Sequence, residues 1–171
     1  MSAVHPIRYI LMCLFVFALS REALAQSIPV NTVEELYAAV NNPANAGATL
    51  LLAPGIYTLS PADSDNSPRL KGGRIELQID VSLIGVEGDA SAVVIDAFNL
   101  PVGSFPQTTN GAATGPNAAV RMGRGRNAIE WLTVRDARFA QANIDTGLQP
   151  LDPWTTFVRI AHVVSSGSTR G

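Results

Sequence analysis

The side chains that could do chemistry lie late in the chain. Arg135-Asp136 closes the segment NAIEWLTVRD (127–136), and Asp145 and Asp152 follow within RDARFAQANIDTGLQPLDPW (135–154). A hard cation takes several oxygen ligands at once, so Asp136, Asp145 and Asp152 are the metal candidates, although no D-x-D or EF-type spacing gathers them. Arg135 and Arg138 are the nearest bases. Trp131 and Trp154 carry indoles, which stack on sugar faces and equally pack beneath a neighbouring loop. Together with Arg135 and Asp136 they are the carbohydrate-binding candidates. The segment 135–154 reads either as a loop long enough to wall a cleft or as solvated loop charges and turn caps.

Other chemistry is less supported. His162 would need a carboxylate within hydrogen-bond reach to serve as a base, and the sequence names none. Arg121, Arg124 and Arg126 in VRMGRGRN (120–127) offer an anion-binding face or a turn with solvated arginines. Their G-x-G lacks the third glycine and the strand–helix setting of a dinucleotide site. In GSTRG (167–171) a threonine stands where the nucleophile elbow needs serine. No catalytic residue is assigned.

These residues follow an export signal. Arg8 precedes a ten-residue apolar run, Ile10 to Leu19, and Ala23-Leu24-Ala25 offers small residues at a cleavage site. Ten residues of helix span roughly 15 Å, about half a bilayer core, so residues 1–25 read as a signal peptide and not as an anchor. Cleavage after Ala25 leaves 146 residues, 171 less 25, or one domain. The mature chain keeps 10 of the 12 basic and 13 of the 14 acidic residues, a net charge of −3. No basic patch points to nucleic acid, and no second apolar run points to a membrane span. The one cysteine, Cys13, leaves with the signal, which excludes a disulfide or a thiol nucleophile from residues 26–171.

Positioning elements are one helix and many strands. Thr32 and Glu35 have capping-box spacing, with the hydroxyl accepting from the Glu35 amide and the carboxylate reaching back to the Thr32 amide. Val33, Leu36, Tyr37 and Val40 form an apolar stripe, and Asn41-Asn42-Pro43 ends the helix. GATLLLAPGIYTLS (47–60) reads as strand, Pro-Gly corner, strand. Arg74 to Asp80 alternates strictly, which predicts a strand with Ile75, Leu77 and Ile79 on one face. Val81–Val86, Ala92–Asp96, Ala119–Met122, Ile129–Arg135 and Phe157–Val164 are further strands. Leu100 to Asn117 is a loop rich in Gly, Pro, Thr and Asn.

Two segments look like copies. NAIEWLTVRD (127–136) and VRIAHVVSSG (158–167) align at a separation of 31, placing Ile129 on Ile160 and Leu132 on Val163. Trp131 and His162 then share a corner between two inward-facing apolar residues. Ser82–Val86 reads as a third copy, with Leu83 lying 46 residues before Ile129. Short strands, corners and a recurring period predict an all-β fold: a right-handed parallel β-helix, or solenoid, with the amphipathic helix capping its first coil.

TVEELYAAVNNPANAGATLLLAPGIYTL, VSLIGVEGDASAVVID and NAIEWLTVRD resemble the amino-terminal part of the pectin-lyase-like superfamily of right-handed parallel β-helix proteins. The resemblance implies secretion to the periplasm or the extracellular space and a polysaccharide partner. It further implies calcium as the cofactor where the chemistry is that of a polysaccharide lyase or glycoside hydrolase. Ser168 to Gly171 reads as a turn leading to another strand, so residues 26–171 read as the first part of a longer solenoid. Three functions stay open: a polysaccharide-binding or -cleaving protein, a non-catalytic adhesion solenoid, and a truncated product without independent activity. The sequence specifies no oligomeric state.

Overall fold

The computed structural model describes residues 26–101, 118–138, 142–146 and 156–168. The predicted signal peptide, Asp152, Trp154 and most of the Leu100–Asn117 loop lie outside them. Helix α1 spans Val33–Asn41. The Thr32 hydroxyl caps it, accepting from the Glu35 N–H at 3.1 Å. The return bond differs from the predicted box. The Glu35 carboxylate accepts chiefly from Asn31, its backbone N–H at 2.7 Å and its side chain at 3.1 Å, and this holds the carboxyl below its ordinary value. Both Asn31 donors reach the same Glu35 oxygen, so the carboxylate sits one residue further back. Leu36, Tyr37, Ala39 and Val40 are buried, as an amphipathic stripe requires.

Among the described residues ten strands, one before α1 and nine after it, lie in three rows, and every ladder between them is parallel. The first row stacks β1 (Ser27–Val30), β2 (Thr49–Leu52), β5 (Ser82–Ile84) and the first half of β8 (Gly125–Arg135). The second stacks β3 (Gly55–Thr58), β6 (Val93–Asp96) and the second half of β8. The third stacks β4 (Ile75–Glu76), β7 (Ala118–Arg121) and β9 (Ala142–Asp145). Strand β10 (Thr156–Ser166) lies along the whole of β8. The chain therefore visits the rows in one fixed order: β2, β3, β4, then β5, β6, β7, then the two halves of β8 and β9. The fold is strand-dominated, with parallel ladders and one short α-helix.

Equivalent positions fall into columns. Ile129 pairs with Ile160 and Leu132 with Val163, the predicted 31-residue register, and Leu83 pairs with Ile129 across 46 residues. The corner residues Trp131 and His162 both have φ of 56°. Inward columns Leu50–Leu83–Ile129, Tyr57–Ile95–Val134 and Ile75–Val120 are at most 2% exposed, and they join α1 in one apolar cluster. Each such side chain, fully buried, contributes about 1.5–3 kcal/mol, so the core between rows and helix holds the fold.

The Arg74–Asp80 strand is shorter than its alternation predicts. Only Ile75 and Glu76 ladder as a strand, and Ile79 is 52% exposed while Ile75 and Leu77 are buried. The Gln78 amide donates to the carbonyls of Val40 (2.8 Å) and Asn42 (2.7 Å), satisfying the end of α1. Asp80 then turns the chain with φ of 60°. Two polar tasks therefore end the ladder where the apolar pattern continues.

Tyr37 locks α1 to the segment after β3. Its hydroxyl donates to the Gly73 carbonyl at 2.5 Å and accepts from the Ser60 N–H at 3.2 Å, while the Arg69 guanidinium lies 4.1 Å from the ring centroid. Burial pushes the hydroxyl up to about 12. An unfolded tyrosine ionises near 10, so this stabilisation is complete below about pH 10 and is lost as pH rises through about 12. We expect Tyr37→Phe to cost about 1–3 kcal/mol at neutral pH, by leaving the buried Gly73 carbonyl and the half-buried Ser60 N–H unpartnered. Urea unfolding from neutral pH to about pH 11.5 should show wild type and variant converging above about pH 10. A constant gap across that range would refute the assignment.

Candidate functional site

The second row turns outward a column of polar side chains. Asp96 pairs with Arg135 across β6 and β8, and Arg135 with Ser166 across β8 and β10. The Arg135 Nε and Nη2 both donate to one Asp96 oxygen, at 3.1 and 2.8 Å, and Nε lies 3.4 Å from the Asp136 carboxylate. The Asp96 hydrogen bonds raise the proton affinity of the guanidinium above its ordinary value. Arg135 and Asp136 stay accessible, at 39% and 37% side-chain exposure, while Asp96 beneath is 13% exposed. Just beyond, Arg138 stacks on the Phe98 ring, 3.0 Å from its centroid, and Phe98 is exposed.

At the opposite edge of this row sits the corner. The Trp131 and His162 rings are stacked at 3.7 Å with an interplanar angle of 5°. Gly85 follows the β5 residue that pairs with Glu130, and a Cβ there would meet the Trp131 carbonyl. The column thus runs glycine, indole, imidazole. Beside it, on the first row, Arg159 pairs with Glu130 at 2.8 Å. Four residues of strand, about 13 Å, separate Trp131 from Arg135.

At His162 the cost of the backbone is of the same order as what the ring stack returns. Holding a non-glycine residue in the left-handed region costs about 1–3 kcal/mol, and a ring pair returns about 0.5–1.5 kcal/mol. His162 is exposed, so burial adds little. Asparagine shares histidine's tolerance of this backbone.

Asp136 also has a structural task. It has φ of 62°, its N–H donates to the Ser166 carbonyl at 3.0 Å, and its carboxylate fills the space over Gly167. Asp80 repeats the device over Gly125, with φ of 60° and its carboxylate accepting from the Arg126 N–H at 2.5 Å. Asp145 belongs to the third row, where Glu76, Arg121 and Asp145 are in register and Arg121 lies 3.5 Å from the Asp145 carboxylate. Arg121 is therefore a buried, paired residue and not a solvated turn arginine; Arg124 and Arg126 are exposed. Among the described residues no three His, Cys, Asp or Glu side chains group as a metal site. The metal candidate Asp152 and the indole of Trp154 lie outside the described residues.

The structure thus brings Trp131, Arg135 and Asp136 onto one strip and places Asp145 on another row. Sequence reasoning missed Asp96 and Phe98. The signal was an alignment of VVID (93–96) with LTVR (132–135), which pairs Ile95 with Val134. A separate cleft of about 340 Å³ borders α1, lined by Glu34, Tyr37, Asn41, Asp63, Arg69 and Leu70. There Arg69 bonds Asp63 at 3.1 Å and lies 3.6 Å from Glu34, tying the segment to the helix.

Fold and site define a strand-dominated protein of parallel ladders with an aromatic and ionic strip across its last strands. No family model, no curated protein and no solved structure matches the chain. Among the described residues no helix is long and apolar enough to cross a membrane. We expect His162→Asn to leave the urea midpoint unchanged or slightly raised; a fall of more than about 1 kcal/mol would make the stack a structural element.

Proposed function

We propose that the chain is an exported right-handed parallel β-helix protein of pectin-lyase-like type, with α1 as its cap, that binds extracellular polysaccharide along the second row of strands. The fixed order in which the chain visits three parallel rows supports the solenoid. Parallel crossovers are right-handed in about 98% of cases, which supports the hand. The apolar run Ile10 to Leu19 before Ala23-Leu24-Ala25 supports export.

One observation carries the binding reading: a strained aromatic stack, Trp131 on His162, shares a strip with the accessible Arg135–Asp136 pair. Flat apolar ring faces complement the C–H faces of sugars, and a carboxylate beside a guanidinium supplies acceptors and donors to hydroxyls. The strain at His162 acquires a purpose when a ligand lies against the rings.

Affinity electrophoresis of residues 26–171 through gels containing a panel of polysaccharides tests this. At least one polymer should retard the protein, and Trp131→Ala should weaken that retardation about tenfold. Ultraviolet absorbance of the same mixtures reports any unsaturated product and so separates cleavage from binding. If nothing on the panel retards the chain, or Trp131→Ala behaves as wild type, the strip is not a sugar site.

A further inference from the structure

We infer that the strip selects uncharged polysaccharide over carboxylated polysaccharide; the inference rests on the binding reading above and concerns its substrate class. The basic groups of the strip are already committed. Arg135 is held by Asp96 and faces Asp136, Arg159 is held by Glu130, and Arg138 lies on the Phe98 ring. On the second row two carboxylates, Asp96 and Asp136, balance two guanidiniums, Arg135 and Arg138, and on the row beside it Glu130 balances Arg159. The strip therefore presents no net positive field, and the whole chain has a formal charge of −2.

A polyuronate brings one carboxylate per sugar. It meets a guanidinium whose charge is already matched, since Arg135 holds Asp96 through Nε and Nη2 and lies 3.4 Å from the Asp136 carboxylate, so the incoming negative charge is set beside two others. Like charges set against each other across an interface cost affinity. A neutral sugar makes no such demand. Its hydroxyls donate to the exposed oxygens of Asp136 and accept from the exposed guanidinium edge while the ion pair stays closed. Its apolar C–H groups rest against indole and imidazole, contacts that salt does not screen.

The exposed arginines outside the strip do not change this balance. Arg124 precedes β8 and Arg126 lies at its far end, five residues, about 16 Å, from Trp131. Its guanidinium sits 5.3 Å from the Phe157 ring.

The experiment compares one polyuronate with its carboxyl-reduced form, which keeps linkage and ring shape and removes the charge. Binding of residues 26–171 to each is measured by calorimetry between about 50 and 300 mM salt. The reduced polymer should bind at least about tenfold tighter, with little dependence on salt. Asp96→Asn, which releases Arg135 from its charged partner, should narrow the gap. Tighter binding of the polyuronate, weakening as salt rises, would overturn the inference and leave the surface-binding reading intact. Binding of neither polymer, with no retardation on any gel of the panel, would overturn both.

Discussion

Everything in this molecule depends on the parallel ladder between successive strands of a row. A strand of two to six residues cannot persist alone. Its backbone groups must find partners in the strand above or below, and a parallel partner in register sets identical positions on top of one another. Side chains then meet by column and not by sequence proximity. Asp96 reaches Arg135 across 39 residues, and Trp131 reaches His162 across 31. The strip is a by-product of register, so a slip of one residue would turn its polar column inward and its apolar column out.

Register in turn depends on the corners. A chain that changes rows must bend without turning its apolar residues outward, and positive φ is how this chain does it. Asp80, Trp131, Asp136 and His162 all adopt it. Where two corners stack, one must yield room. Gly125 and Gly167 do so beneath the Asp80 and Asp136 carboxylates, and Gly85 does so against the Trp131 carbonyl. Asn127 secures the same region from inside, its amide donating to the carbonyls of Gln78 and Val81 at 2.8 Å each. Asn143 does likewise near β10, donating to Ser165 Oγ and the Ser166 carbonyl at 2.9 Å. Polar side chains thus satisfy backbone that corners leave without a ladder partner.

Much of this was legible in the sequence. The helix and its stripe follow from spacing alone, because capping and 3.6-residue periodicity are local. The 31-residue match was legible because β8 and β10 contain no insertion around their shared corner. The Asp96–Arg135 contact was hidden for the opposite reason. Between β6 and β8 the chain passes through β7 and the residues around Leu100 to Asn117, and an irregular spacing masks the column. Arg121 misled because three arginines in six residues read as a surface turn. Its burial comes from register with Asp145 and Glu76, which local pattern does not report. Ile79 misled because alternation cannot see that Gln78 is needed by the end of α1.

The columns also show how unevenly stability is distributed. Ile129 and Ile160 are the same residue in the same column, yet one is 0% and the other 45% exposed. The difference is supplied by neighbours, since β8 has a strand on each side and β10 pairs only with β8 among the described residues. Burial of a column position therefore comes from the strands on both of its sides, and Ile129 is covered by β5 on one side and β10 on the other. The ring pair spans these two strands. A ligand seated on Trp131 and His162 together would add a tie between them, and by linkage anything that binds the paired state favours it. Such a ligand would act through register, because the two rings belong to equivalent corners of paired strands.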